Sequence, residues 1–222
     1  MTLPVPRSGS ETIERTKPQP FVREVLGRSD YRIISEIVEA KTRVLDLGCG
    51  DGELLEWLAE NKDVDARGVE ISGGKVQRAI ARGVSVYQGD IDQGLADYPD
   101  NAFDYVILSQ TLQETYRPRK VLREMLRVGR RVIVAFPNYG HWRVRMSLLL
   151  SGRAPKTDLF PHDWYESPNI HFLTVHDFEE LAALEGLIIE RRYFLSRSRT
   201  ITMFPNLLAE IAVYLVSGAD RH

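Results

Sequence analysis

The sequence is poor in cysteine, in long apolar segments and in net charge, and each shortage excludes a class of protein. Its 222 residues include one cysteine, Cys49, so no intramolecular disulfide and no cysteine cluster for zinc can form. No apolar run approaches the roughly 20 residues that span a bilayer, so we expect no membrane partner. The formal charge of −2 gives no overall attraction for a polyanion, and nucleic acid is therefore not an expected partner.

The N-terminal residues also lack the pattern of a secretory signal. The start, Met1-Thr2-Leu3-Pro4-Val5-Pro6, is broken by proline and contains no continuous apolar stretch, which favours a cytoplasmic location. Residues 1 to about 20 are rich in Pro, Ser, Thr and charge and have no apolar period, so we predict a flexible N-terminal tail there. We expect residues 21–222 to form a single domain.

Strand-like apolar runs alternate with stretches of helical periodicity along most of the chain. Five runs are predicted as strands: Arg43–Leu47, Ala66–Glu70, Val84–Gln88, Tyr105–Ser109 and Arg131–Phe136. Four stretches are predicted as helices: one with Asp30 as its N-cap, Glu53–Asn61, Gly74–Arg82 and Pro118–Val128. Because strands that alternate with helices form parallel crossovers, we predict a doubly wound, Rossmann-like α/β fold with a mostly parallel, seven-stranded sheet.

The alternation is interrupted after Pro137 and then resumes. Residues 138–171 form an insertion that is dense in aromatic side chains, His and Arg. Beyond it we predict a helix at Asp177–Leu184 and strands at Leu187–Phe194 and Leu207–Val216. The insertion follows the carboxyl end of the fifth strand, and that edge of an open α/β sheet is where ligands bind.

The most informative segment is Val44-Leu45-Asp46-Leu47-Gly48-Cys49-Gly50-Asp51-Gly52, a strand that runs into a glycine loop and then a helix. Glycines permit a tight turn and keep side chains away from a ligand, and the N–H groups at the start of the helix suit an anionic group. A dinucleotide-binding loop would need its third glycine one residue later, where Glu53 stands. The pattern instead resembles the first motif of class I methyltransferases. The candidate cofactor-binding residues here are Asp46, Gly48, Cys49, Gly50 and Gly52.

Three further strand ends carry polar residues suited to the same ligand. Glu70 ends the second strand about 20 residues after the loop, an offset at which a carboxylate can accept hydrogen bonds from both hydroxyls of a ribose. In class I methyltransferases the acid at the end of the third strand, which Asp90 matches, binds the adenine amino group. Residues 101–112 resemble the fourth-strand motif of that family. The resemblance implies S-adenosylmethionine (SAM) or S-adenosylhomocysteine as cofactor, with Ile71, Ile91, Ser109 and Gln110 as further binding residues.

The second half of the chain carries a closer resemblance. It rests on the strings Phe136-Pro137-Asn138-Tyr139-Gly140-His141-Trp142-Arg143-Val144-Arg145, Gly152-Arg153-Ala154-Pro155 and Trp164-Tyr165-Glu166-Ser167-Pro168-Asn169-Ile170-His171. With the glycine loop, these strings resemble the family of the bacterial methionine biosynthesis protein MetW over about residues 28–216. The resemblance implies a partner, the homoserine O-acyltransferase MetX, and that family has no established methyl acceptor of its own. Because SAM lies downstream of homoserine acylation, a SAM-binding partner could report product level through linked binding.

The insertion adds aromatic and basic side chains whose roles the sequence leaves open. Tyr139 and Tyr165 could position a methyl acceptor. Trp142 and Trp164 could roof the pocket, fill the core or anchor a protein partner. A basic face is formed by Arg143, Arg145 and Arg153. A solvated surface, an RNA contact and an acidic protein partner are the alternatives for that face.

Two functions follow as alternatives. In the first, the chain is a SAM-binding accessory that docks on MetX and supports it. In the second, it is a SAM-dependent methyltransferase of an unidentified small molecule, with His141, His162 or His171 as the base. Gln113 stands where many small-molecule methyltransferases of this fold carry His, which counts against hydroxyl or carboxyl methylation. No catalytic residue is assigned, and we expect no metal because the spacing of a metal site is missing.

Overall fold

The structure, a computed structural model, describes residues 28–197 and 199–219 of the chain. The predicted N-terminal tail lies outside the described residues. The first elements are α1 (Ser29–Ile37), β1 (Arg43–Leu47), α2 (Glu53–Lys62), β2 (Asp65–Glu70), α3 (Gly73–Ala81), β3 (Ser85–Gln88) and β4 (Phe103–Ser109). They are followed by α4 (Pro118–Val128), β5 (Gly129–Pro137), α5 (Trp142–Ser151), α6 (Val175–Leu184), β6 (Leu187–Ser196), β7 (Arg199–Thr200), α7 (Pro205–Leu208) and β8 (Ile211–Gly218).

The strands form one sheet in the order β3-β2-β1-β4-β5-β8-β6-β7. Strands β1 to β5 pair in parallel, whereas β8 pairs antiparallel with β5 and β6, and β7 pairs antiparallel with β6. The predicted doubly wound, mostly parallel fold is confirmed, but the sheet has eight strands rather than seven. The additional strand is β7, whose two residues are too short to show the alternation by which a strand is recognised in a sequence.

Two apolar layers cover the faces of the sheet. On one face Ile34 of α1 and Leu54 of α2 pack in a cluster with Val44 of β1. On the other face Met125 of α4 packs in a cluster with Leu45, the next residue of β1. Successive side chains of a strand point to opposite faces, so burial of both positions requires helices on both sides. This double cover leaves the carboxyl edge of the parallel strands as the place where loops can form a site.

Several predicted boundaries differ from the structure, and two of the differences have a clear physical reason. The N-cap of α1 is Arg28 rather than Asp30, whose side chain is buried within the first turn of the helix. The last strand begins at Ile211, because Pro205 opens the short helix α7, in which Leu207 lies. Proline is tolerated in the first turn of a helix but cannot donate a hydrogen bond to a strand ladder. The segment at Pro205 therefore forms a helix, and the strand begins after it.

The insertion contains helix α5, which was not predicted. The helix has ten residues and ends at Gly152, whose backbone is left-handed with φ of +61°. The C-terminal end of the insertion is bonded to the segment that follows β4. There the N–H groups of Ile170 and His171 donate to the carbonyl oxygen of Gln113 at 2.8 and 3.0 Å. Within the described residues, no helix has both the length and the apolar character needed to span a membrane.

Candidate cofactor-binding site

The glycine loop leaves β1 and is bonded to the end of β2. The N–H groups of Gly48 and Cys49 donate to the carbonyl oxygen of Val69 at 2.8 and 3.2 Å. Gly48 and Gly50 have left-handed backbones, with φ of +74° and +58°, that other residues rarely adopt. A Cβ at Gly48 would lie 2.6 Å from Oγ1 of Thr111, whereas a Cβ at Gly50 would meet nothing within 4 Å. Gly50 therefore faces open space rather than protein.

Glu70 is the buried acid that connects this loop to β2. One carboxylate oxygen accepts the N–H of Gly50 at 3.0 Å, and the other accepts the N–H of Ser72 at 2.8 Å. The residue is 5% exposed, and these two hydrogen bonds hold both of its oxygens in place. A carboxylate has about four acceptor positions, and two bonds leave capacity for hydroxyl donors of a ligand. Glu70 thus both holds the loop and retains acceptors beside the open space.

A cavity of about 480 Å³ opens at the carboxyl ends of β1, β2 and β4. That volume falls within the range of small-molecule sites. Among its lining residues are Gly48, Gly50, Glu70, Ile71, Asp90 and Ile91, together with Ser109 and Gln110, all of them predicted from the sequence. A second cavity of about 420 Å³ adjoins it and shares Gly89 and Asp90 with it. The structure therefore brings these residues together, and their contact with a cofactor stays a prediction.

The charges around the cavity are predominantly negative. Four carboxylates line it, those of Glu70, Asp90, Asp92 and Glu114. Two cationic side chains, Arg28 and Lys75, lie among them. Burial raises the pKa of Glu114, and the positive charge of Lys75 opposes that shift. A wall with more carboxylates than cations suits a ligand that carries net positive charge.

Helix α1 supplies a wall of the cavity that the sequence analysis missed. Arg28 and Tyr31 line the cavity, and the guanidinium carbon lies 3.7 Å from the centre of the Tyr31 ring. Asp30 is fully buried and accepts hydrogen bonds from Arg28 Nη2 at 2.6 Å, Ser109 Oγ at 2.7 Å and Gln110 Nε2 at 3.0 Å. Burial acts to raise the pKa of Asp30, but the charge of Arg28 and the hydrogen bonds from Arg28, Ser109 and Gln110 together hold the pKa below its usual range. Ser109 and Gln110 thus line the cavity and are held in position by Asp30.

Three predicted site residues lie outside the cavity wall, and their contact with a cofactor stays a prediction. Asp46 is buried at the end of β1, where burial raises its pKa to about 8 and Arg28 opposes the shift. Cys49 is buried in the apolar layer under α1 and α2. Gly52 is the N-cap of α2, and a Cβ there would lie 2.9 Å from the Cβ of Ala79. These residues support the loop, and the first turn of α2 is likewise not among the lining residues of the cavity.

The three candidate bases of the insertion also lie outside the cavity wall. His141 is buried at the start of α5, where its Nδ1 accepts the N–H of Arg143 at 3.4 Å and burial lowers its pKa. His162 lines a separate cavity, and His171 is exposed. Gln113 is buried, and its Nε2 donates to the Gln110 carbonyl at 2.7 Å. In the part of the chain that the structure describes, no three His, Cys, Asp or Glu side chains are grouped to hold a metal ion.

The fold and the cavity at its carboxyl edge define the class of protein: the chain has the fold of class I SAM-dependent methyltransferases. A SAM-dependent methyltransferase from Thermotoga maritima matches it with a TM-score of 0.63 at 18% identity, over 88% of this chain and 90% of that chain. One from Mesorhizobium loti matches with a TM-score of 0.64 at 17% identity, over 86% of this chain and 99% of that chain. At such identities the likeness establishes the fold alone.

The sequence itself places the chain within that class. The family described as methionine biosynthesis protein MetW matches residues 28–216, and the chain belongs to this family. The "bifunctional methionine biosynthesis protein MetXA/MetW" of Rhodopirellula baltica is 34% identical over 95% of this chain and 36% of its own length. The chain spans about a third of the length of the curated relatives that it matches. The resemblance predicted from the sequence is thereby confirmed.

Proposed function

We propose that the cavity binds SAM or S-adenosylhomocysteine. The acceptor positions that Glu70 retains would take the two ribose hydroxyls, because a carboxylate at a strand end can accept from both. Asp90, which lines both cavities, and Ile91, which follows it in the wall of the first, would hold the adenine. The excess of carboxylates in the wall favours SAM, whose sulfonium gives it a net positive charge, over S-adenosylhomocysteine, which has no net charge. Arg28 and Lys75 are the cations available to the methionine carboxylate.

The proposed role of the bound cofactor is regulatory. In this proposal the chain docks on a homoserine O-acyltransferase of the MetX type and supports its activity. The observation that carries the proposal is the Rhodopirellula baltica relative, whose name joins MetXA to MetW in a single protein. Joining two modules in one chain gives them a high effective concentration, and separate chains need a docking surface for the same effect. SAM is formed downstream of homoserine acylation, so its binding could adjust the acyltransferase through a coupling free energy.

A homoserine acylation assay with the acyltransferase of the same organism tests this role. The rate is measured with and without the chain, across a titration of SAM, and the Glu70→Gln variant serves as the matched control for cofactor binding. We expect the chain to raise the acylation rate and SAM to change the size of that effect. An unchanged rate, together with failure of the two proteins to co-purify, would contradict the accessory role.

The second candidate function is methyl transfer to a small molecule. The observation that favours it is the open side of the cavity, where Tyr116 and Glu114 line the wall and Tyr116 is 77% exposed, so an acceptor could enter. Alignment alone can supply much of the rate enhancement in a displacement at an activated methyl group. Formation of S-adenosylhomocysteine from SAM in the presence of candidate acceptors measures this activity. The absence of His141, His162 and His171 from the cavity wall favours the accessory role.

A further inference from the structure

Helix α5 presents a row of large apolar side chains to solvent. Trp142, Met146, Leu149 and Leu150 follow at i, i+4, i+7 and i+8, the spacing that places side chains on one face of a helix. Their exposed fractions are 44%, 39%, 76% and 77%. Val144, on the opposite side, is the buried residue by which the helix is attached to the fold. We refer to the four exposed side chains as the α5 stripe.

Such a stripe costs free energy in water unless a partner covers it. Single exposed apolar residues are ordinary, but a contiguous row on one helix face marks an interaction site. The pattern is the one that helices use when they lay an apolar face into a groove of another protein. Trp, Met and Arg are also the residue types enriched in protein interfaces, and Trp and Arg are common among those that carry most of the binding energy.

The charged residues of α5 itself are all basic, and one acid of the following segment, Asp158, pairs with Arg143 Nη1 at 3.7 Å. Residues 142–153 contain three arginines and no Asp or Glu, although the whole chain has a formal charge of −2. On the helix, Arg143 and Arg145 lie on either side of the stripe, 100° and 300° around the axis from Trp142 at about 100° per residue. Arg145 is fixed by a hydrogen bond from its Nε to the carbonyl of Gly140 at 2.6 Å. Carboxylates at the rim of a partner that covers the stripe would complement the remaining positive charge.

This charge argues against a second copy of the chain as the occupant. Parallel pairing of two stripes would bring Arg143 against Arg143, and antiparallel pairing would bring Arg153 of one copy toward Arg143 of the other. Like charges that face each other across an interface cost several kcal/mol and select against the wrong partner. An acidic protein surface has no such penalty.

We infer that the α5 stripe is the surface by which this chain docks on the homoserine O-acyltransferase, in an apolar groove rimmed by carboxylates. The inference rests on the proposed function and specifies its contact. The stripe and the cofactor cavity lie at the same edge of the sheet, because α5 follows the carboxyl end of β5 and the cavity lies at the carboxyl ends of β1, β2 and β4. The segment between α5 and α6 connects the two, through the bonds of Ile170 and His171 to Gln113. Docking at α5 therefore places the partner beside the cofactor cavity.

Binding of the acyltransferase to three variants of the full chain tests the inference. Leu149→Asp removes one of the two most exposed side chains of the stripe and adds a charge that repels the acidic rim. Arg143→Glu reverses a charge at the rim. The matched control is Leu184→Asp, since Leu184 is 72% exposed in the last turn of α6 and precedes β6, whose start lies at the opposite edge of the sheet. SAM affinity, measured by calorimetry, verifies that each variant is folded.

We expect Leu149→Asp to weaken the complex at least tenfold and Leu184→Asp to leave its affinity within twofold. Arg143→Glu should weaken the complex several-fold and reduce its sensitivity to salt, because the lost contacts are between exposed charges. If the wild-type chain binds and all three variants bind equally well, the α5 stripe is not the docking surface, although the proposed function stands. If the wild-type chain itself does not bind the acyltransferase, the proposed function fails and this inference fails with it.

Two further measurements distinguish other occupants of the stripe. Sedimentation velocity of the chain alone reports a dimer, and co-sedimentation with vesicles of phosphatidylserine and phosphatidylcholine reports membrane binding. A dimer or a vesicle complex that Leu149→Asp abolishes, with binding of the acyltransferase unaffected, would assign the stripe to that occupant and overturn the inference.

Discussion

The carboxyl edge of the sheet carries two surfaces of opposite character. Over β2, β1 and β4 the edge is concave and acidic, and the buried carboxylate of Glu70 is held there by two protein donors and retains further acceptor positions. Behind this wall the buried carboxylate of Asp30 holds Ser109 and Gln110 in place. Over β5 the edge projects as α5, which is apolar and basic and leaves its large side chains in solvent. A concave site with fixed polar groups suits a small ligand, whereas an exposed apolar helix suits a macromolecule. The comparison shows that one edge of the sheet presents two surfaces whose shape and chemistry suit different kinds of ligand.

We expect the largest effect, a loss of stability, at the buried residue Asn138, which precedes α5. Asn138 is fully buried after β5, and its Nδ2 donates to the carbonyls of Asn206 and Ala209 at 3.1 and 2.8 Å. Its Oδ1 accepts the N–H groups of Gly140 and Val175 at 3.0 and 3.3 Å. Asn138→Ala leaves these buried backbone groups unpaired, so we expect the free energy of unfolding to fall by about 4 kcal/mol in chemical denaturation.

Asn61→Ala is the control for that substitution. Asn61 is exposed and makes one hydrogen bond, to the carbonyl of Trp57 at 2.8 Å, so its loss should change stability by less than about 0.5 kcal/mol. If the comparison of the two surfaces holds, folded Asn138→Ala protein keeps its SAM affinity and loses binding of the acyltransferase. Equal loss of both would show that the two surfaces are not separable.

The elements that local signals specify could be predicted from the sequence, and those that depend on distant partners could not. The strand, glycine loop and helix around Gly48 lie within about 20 residues, and their composition alone indicates a turn that approaches a ligand. Asp30 is separated by 79 and 80 residues from Ser109 and Gln110, the residues that bond it, so nothing in its own segment indicates a buried carboxylate. The assignment of Asp30 as a cap followed from local preference and was overridden by this tertiary contact.

Helix α5 illustrates the second limit. The spacing of Trp142, Met146, Leu149 and Leu150 is a helical signal, and the aromatic and basic residues of the insertion obscured it. Even when the pattern is recognised, periodicity predicts an apolar face against the core, and here that face lies in solvent. A sequence pattern indicates that a helix has two faces, but the packing of the whole chain decides which face is covered.

A pH-dependent effect is expected beneath the acidic surface. Burial raises the pKa of Asp46 to about 8, so the folded chain retains a proton there that the unfolded chain loses above about pH 4. The contribution of Asp46 to the free energy of unfolding therefore falls as the pH rises from about 4 to 8. Asn does not titrate, so Asp46→Asn should gain stability relative to the wild type between pH 5 and pH 8, by on the order of 3 kcal/mol.

Thermal or denaturant unfolding at the two pH values measures this difference, with Asp104→Asn as the control. Burial acts to raise the pKa of Asp104, but hydrogen bonds from Arg43 lower it below its usual value, so Asp104 is ionised at both pH 5 and pH 8. The effect of Asp104→Asn should accordingly be the same at the two values. A constant effect of Asp46→Asn over the same range would mean that Asp46 is ionised in the folded chain.

The third prediction tests whether the open space at Gly50 is part of the cofactor site. Gly50→Val places a branched side chain into the open space at the glycine loop, and we expect SAM affinity to fall by about 100-fold, close to 2.7 kcal/mol. Gly186→Val is the matched control, because Gly186 also has a left-handed backbone, with φ of +66°, and nothing within 4 Å of its Cβ position. Both substitutions strain the backbone alike, so only a ligand-specific effect distinguishes them in calorimetry.

The smallest effect is expected from the charge of Glu70 alone. Glu70→Gln keeps one oxygen that can accept the N–H of Gly50 or of Ser72, but it replaces charge-assisted acceptors with a neutral amide. We expect SAM affinity to fall about tenfold, close to 1.4 kcal/mol, and binding of the acyltransferase without SAM to remain unchanged. Calorimetry with SAM and with S-adenosylhomocysteine sharpens the comparison further. If Glu70 contacts only the ribose, both ligands lose affinity equally, whereas a larger loss for SAM would indicate that the negative charge of the cavity also stabilises the sulfonium.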